Sequence, residues 1–262
     1  MISSIFNTIF YEPLLNGLIW LINILPFHNI GIAVVILTIL VRFIIFPFTH
    51  RATVTQVKMK QLEPELKEIK EKFKKDNQEQ AKKTMELYKQ HGINPLSGFI
   101  TLLIQIPIII ALYKVFLAGL KFDSSHLYSF ISPPDYVNIK FLGFFDMTQK
   151  SYILAGLASF SQFFQMKMAV PIVKKIQGAA KSFKDDFARS MSIQARYIMP
   201  LFIFFIALKF ASAIALYWTT MNIFAIVHEA IVRKKAEKIL KNGTANKNNK
   251  ITFRNDSGKI NR

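Results

Sequence analysis

The side chains with the clearest chemistry sit where water is scarce. Arg42 lies in the run Ile30 to Thr49, which holds no other charged residue and is long enough to cross a bilayer core at about 1.5 Å per residue. A guanidinium inside such a run costs roughly 2.5–3.5 kcal/mol on insertion scales. Counting back from Thr49 places Arg42 seven residues, roughly 10 Å, inside it, with Thr38 one turn further out on the same face. Arg42 either snorkels or pairs with a buried acid, or it faces a polar cavity and binds something negative. Gln105, Gln162, Gln165, Tyr217 and Trp218 are further polar groups carried by apolar runs, and Thr219, Thr220 and Asn222 continue the polar run of the last one. Their chemistry is hydrogen bonding and charge, not bond making. The chain has no cysteine, and its five histidines lack ligand spacing, so no metal, cofactor or catalytic residue is expected.

These groups need apolar elements to hold them. Of 262 residues 52% are apolar, 25 are Phe, and the formal charge is +18. That balance describes a polytopic membrane protein with basic solvent-facing parts. Residues 1–29 carry no Lys or Arg and show neither a charged n-region nor a small-residue cleavage site, so no signal peptide is expected. The run from Leu14 to Phe27 reads as a short helix, lying in the interface or packed on a bundle. A first span covers 30–49. Residues 50–93 form a helical hairpin: Met59, Leu62, Leu66, Ile69 and Phe73 make one apolar seam. Asp76 starts a second helix with Ala81, Met85 and Tyr88 on its stripe, and Gly92 ends it. The second span is 95–118, followed by a loop over 119–150. A third span is 151–170 and a basic loop runs over 171–196. The block 197–232 divides into two short spans, 197–210 and 213–232. The basic, Asn-rich tail 233–262 is expected to be disordered.

Segments 50–93, 171–196 and 233–262 hold 27 of the 34 basic residues. The positive-inside rule then places the N-terminus outside and the C-terminus in the cytoplasm. The chain reads as an all-α membrane protein: five transmembrane helices around a hydrophilic groove, with an interfacial N-terminal helix and a cytoplasmic hairpin. One acid falls within the spans, Glu229. It pairs either with Arg233, four residues on, or with Arg42. Two functions fit: a site receiving polar stretches of a polypeptide entering the membrane, or a small-anion transporter or channel. Internal repeats of the kind found in transporters are not evident.

The motifs resemble those of the YidC/Oxa/Alb membrane protein insertases. Leu37-Thr-Ile-Leu-Val-Arg-Phe-Ile-Ile-Phe-Pro47 and Lys58-Met-Lys-Gln-Leu-Glu-Pro-Glu-Leu-Lys67 are similar to the family's first span and hairpin. Leu87-Tyr-Lys-Gln-His-Gly-Ile-Asn-Pro-Leu-Ser-Gly98 with Gln105-Ile-Pro-Ile-Ile-Ile-Ala-Leu-Tyr113 resembles its second span. Leu216-Tyr-Trp-Thr-Thr-Met-Asn222 looks like its last-span signature. Each piece is weak; the ordered set, covering roughly residues 10–235, is specific. The Pro and Gly usual just before Leu216-Tyr-Trp are absent, and His228 stands where the family commonly has Gln.

The resemblance implies a groove closed to the outside, with Arg42 as its arginine and Gln162 and Trp218 among its polar positions. It also implies a non-enzymatic protein of the bacterial plasma membrane, of the compact type. Such a protein inserts and folds nascent membrane proteins, alone or with the Sec translocon, often on ribosomes. The ribosome would meet the basic tail and loops through phosphate charge without reading a nucleic-acid sequence, and membrane lipids would surround the spans.

Overall fold

Proline and asparagine decide where these helices bend and stop. The computed structural model describes residues 2–74, 76–94, 97–117, 124–169 and 190–256. Helix α1 (Ile2–Phe6) passes through a π-turn (Asn7–Tyr11) into α2 (Glu12–Ile24). Pro13 lacks an N–H and crowds the preceding turn. The wider π-turn, closed by the Glu12 N–H on the Asn7 carbonyl, absorbs that crowding without stopping the helix. The outcome is a helix from Ser3 to Ile24 that is long and apolar enough to cross a membrane. The expectation of a short helix starting near Leu14 is corrected accordingly. The same device recurs at Pro200, where a π-turn (Gln194–Ile198) leads into α9 (Met199–Ala207). Ser190–Ala207 is thereby one apolar helix. It starts inside the segment read as the loop 171–196 and stops short of 210.

Asn29 caps α3 (Ile30–Ile44) by accepting the Ile32 N–H at 3.1 Å. The first span does not run straight to Thr49. At Ile45 the chain bends by 70° into α4 (Phe46–Gln61), because Pro47 cannot donate into α3 and its ring crowds the carbonyl one turn back. The hairpin helix therefore begins at Phe46, not at 50. Pro64 stands in the first turn of a fresh helix, α5 (Glu63–Lys72). Asp76 caps α6 (Asn77–Gln90), accepting from the Gln78 and Glu79 N–H groups at 3.0 and 2.9 Å, and Gly92 turns the chain at φ +61°. Met59, Leu62, Leu66 and Ile69 form the expected seam, but their partners are Leu87, Tyr88 and Ile93. Ala81 and Met85 are exposed. With α5 only ten residues long, the seam reaches only the end of α6.

Helix α7 (Ser97–Leu117) keeps Pro107 inside it, and α8 spans Tyr152–Ala169. Between them β1 (Lys140–Phe141) pairs antiparallel with β2 (Phe145–Asp146) across the tight turn Leu142-Gly143, where both residues have positive φ. This ribbon presses on the start of α3 so closely that a Cβ on Gly31 would stand 2.5 Å from Phe141 Cβ. Asn16, 1% exposed, donates to the Glu12 and His126 carbonyls and accepts the Tyr128 N–H, tying α2 to the loop over α7. Helix α10 starts at Ser212 and runs to Asp256. The tail expected to be disordered is helical as far as Asp256, against the low helix propensity of its Asn, Gly and Thr residues.

The core joins Leu18, Ile19 and Ile22 to Ile30, Val34, Val115 and Leu154. Helix α10 packs on α8 and α3, α9 on α8, and α2 on α3. Among the described residues three helices are long and apolar enough to cross a membrane, Ser3–Ile24, Ser190–Ala207 and Ser212–Lys235. They are four if the bent pair α3–α4 is one span. Ser159, Ser161, Gln162, Gln165 and Lys167 keep α8 below that apolarity. Residues 95–96 and 118 of the expected second span, 119–123, 170–189 of the third span and basic loop, and 257–262 lie outside the described residues.

Candidate functional site

The bend at Ile45 changes the setting of Arg42. Along the axis of α3 it lies two residues from the helix end, about 3 Å of rise instead of roughly 10 Å. It occupies the last turn, where the partial negative charge of the helix terminus favours a cation by about 0.3–1 kcal/mol and up to ~2 when partly buried. It is still 8% exposed. Among the described residues it has no hydrogen-bond or ion-pair partner; Tyr217 and His228 are its electrostatic neighbours. Glu229 does not reach it. That carboxylate takes Arg233, with Oε1 at 2.6 Å from Nη2 and 3.0 Å from Nε. Of the two pairings open to Glu229, the local one forms.

The other expected groups fall into two sets on α10, because adjacent helical residues point about 100° apart. Tyr217 is 3% exposed and accepts a 2.6 Å hydrogen bond from Gln105 Nε2 on α7, on the side near Arg42. Trp218 turns to α8, where its Nε1 donates to Gln162 Oε1 at 3.0 Å. Gln162 Nε2 donates in turn to Gln165 Oε1 at 3.4 Å. Thr38 is buried, but its hydroxyl donates back to the Val34 carbonyl at 2.6 Å. Arg42, Tyr217 and Gln105 thus come together. Trp218, Gln162 and Gln165 form a separate chain, and Thr38 serves its own helix.

Sequence reasoning missed three features. The partner of Asn222 is one: this residue of the last-span signature, one turn after Trp218, donates to Ser161 Oγ at 3.1 Å and extends the α8–α10 polar seam. The i, i+4 spacing of Trp218 and Asn222 was the available signal. Three cations converge on two adjacent carbonyls of α8: Arg196 on Lys167, Lys60 and Arg233 on Met168. His50 Nδ1 and His228 Nε2 stand 3.0 Å apart, with Phe46 against both rings. No sequence pattern marks that pair, whose members are 178 positions apart.

Among the described residues no group of three His, Asp or Glu could hold a metal. What the site offers is one buried positive charge and a row of amide, indole and phenol hydrogen-bonding groups. A helical membrane protein with a buried cation that lacks an ion-pair partner among the described residues is the class this defines.

Comparison with known proteins narrows it. Residues 20–239 match the family described as 60Kd inner membrane protein, and the chain belongs to that family, the one its motifs resemble. A protein of Fusobacterium nucleatum named membrane protein insertase YidC is 32% identical over 208 residues, 79% of this chain and 87% of that one. One of Oceanobacillus iheyensis with the same name is 30% identical over 240 residues, 88% of this chain and 85% of that one. A Wolinella succinogenes protein so named is 32% identical over 232 residues, and there the chain spans only 38% of the relative's length.

Proposed function

We propose that this chain is a membrane protein insertase of the bacterial inner membrane. Five spans, carried by α3, α7, α8, α9 and the first half of α10, surround a hydrophilic groove open to the cytoplasm. The hairpin helices α5 and α6 and the C-terminus lie in the cytoplasm, α4 leads to them along the inner face of the membrane, and the helix Ser3–Ile24 packs at the outer side. Arg42 draws acidic residues of a substrate's extracytoplasmic segment into the groove. Gln105 with Tyr217, and Gln162 and Gln165 with Trp218, lend hydrogen bonds to backbone that would otherwise meet hydrocarbon. The apolar part of the substrate then partitions into lipid. No covalent bond changes. Nascent chains arrive from ribosomes held by the basic tail and loops, alone or beside the Sec translocon.

The observation that carries this reading is Arg42, buried and without an acidic partner among the described residues. The helix terminus offsets only part of that charge, and an intramembrane arginine with no carboxylate beside it is left for an acidic ligand. The names of the relatives support the same conclusion. Reconstitution into liposomes tests it: the purified chain inserts a one-span substrate, the Arg42→Ala variant inserts it more slowly, and neither passes small anions. Anion flux without insertion would establish the transporter instead.

A further inference from the structure

A cleft of about 620 Å³ opens between α4 and α10, beginning one residue after Arg42. Its walls are two helical stripes, Phe46, Val54 and Val57 on α4 facing Phe224, Val227 and Ile231 on α10. One turn in from the aromatic end His50 and His228 hydrogen-bond each other, so the imidazoles are engaged. At the other end stand Lys58 and Lys235, both exposed and, among the described residues, without an ion pair. Phe46 to Lys58 and Phe224 to Lys235 each cover about 17 Å at 1.5 Å per residue, comparable to an extended fatty acyl chain. Both helices place aromatic residues at their first end and a lysine at their last. The cleft is therefore largely apolar, interrupted by the mutually bonded imidazoles, and cationic at one mouth.

We infer that this cleft is a binding site for an anionic glycerophospholipid. One acyl chain lies between the two stripes, and Lys58 and Lys235 bracket the phosphate. Charge selects this occupant. In the orientation proposed above, the lysines are at the cytoplasmic end, where a newly inserted span carries its own positive flank and would be repelled. An anionic headgroup is attracted there instead. The site is separate from the Gln162–Trp218 seam, which occupies the other side of α10.

Native mass spectrometry of the delipidated full chain tests the site. The titrants are phosphatidylglycerol and phosphatidylcholine with identical acyl chains. Two juxtamembrane lysines near an anionic headgroup should favour phosphatidylglycerol on the order of 30-fold. Lys58→Gln with Lys235→Gln should bring the two lipids to parity, and Val227→Trp, at an exposed wall position, should displace both by filling the cleft. Equal binding of the two lipids by the unaltered chain would overturn the inference, as would an undiminished preference in the double lysine variant. Displacement of the lipid by millimolar inorganic phosphate, or by an equimolar one-span peptide with lysine flanks, would overturn it too. The readout is lipid retention and does not depend on whether the chain inserts substrates.

Discussion

If Glu229 belongs to Arg233, the two residues should be strongly coupled in stability. Glu229 is 5% exposed, and its Oε1 accepts from both Nε and Nη2 of Arg233. The Arg233 side chain is 31% exposed. Breaking a fully buried pair costs about 3–5 kcal/mol, because the remaining charge loses its partner. The partial exposure of Arg233, and the nearby Lys60 ammonium, reduce this to about 2–3 kcal/mol for Arg233→Ala. Arg233 also donates to the Met168 carbonyl, so part of that loss is independent of Glu229. Glu229→Gln in the Arg233→Ala background should therefore restore about half of it. The assay is a double-mutant cycle on reversible unfolding in mixed micelles. A coupling energy below about 0.5 kcal/mol would refute the pairing. It would also return Glu229 to the pool of possible partners for Arg42.

Three further outcomes follow from close packing and buried hydrogen bonds. Gly31→Ala drives a methyl into the Phe141 ring and should cost about 1–3 kcal/mol by overpacking, with most of it recovered in Gly31→Ala/Phe141→Ala; thermal unfolding in detergent reads both. Asn16→Ala leaves the His126 carbonyl and Tyr128 N–H without their side-chain partner and should cost about 2–3 kcal/mol. Amide exchange at Tyr128 would rise with it. Trp218→Phe removes the donor to Gln162 and should cost about 1 kcal/mol, and loss of the hydrogen-bonded indole signal in resonance Raman spectra would confirm the bond.

Periodicity and caps were legible in the sequence wherever a local rule governed them. Asp76 and Gly92 mark helix ends through chemistry contained within a few residues, and the seam Met59-Leu62-Leu66-Ile69 follows from spacing alone. Proline was legible as a disturbance but not as an outcome. Pro47 bends the chain by 70°, whereas Pro13 and Pro200 are taken up by π-turns that leave their helices unbroken. Neighbouring packing selects between those results, and a sequence window does not contain it. For the same reason counting residues back from Thr49 does not give the distance of Arg42 from the end of its helix, since the count assumes a straight helix and α3 ends at Ile44. In the site, the residue types were legible and the pairings were not. Gln105 with Tyr217, and Gln162 with Trp218, depend on which face of α10 meets α7 or α8. Glu229 with Arg233 was legible as one of two options because the pair lies within one helical turn.

The account rests on the positive charge of Arg42, and charge can be reversed without removing the side chain's polarity. The decisive measurement is the ratio of insertion rates for two one-span substrates, identical but for an acidic or a neutral extracytoplasmic tail, in liposomes containing only this protein. A carboxylate brought to roughly 9 Å of Arg42 at an effective dielectric of about 20 gains about 2 kcal/mol, an advantage near 20-fold. The unaltered chain and Arg42→Lys should keep that advantage for the acidic tail, Arg42→Ala should lose it, and Arg42→Glu should invert it. An unchanged ratio in Arg42→Glu would contradict the electrostatic role of this residue.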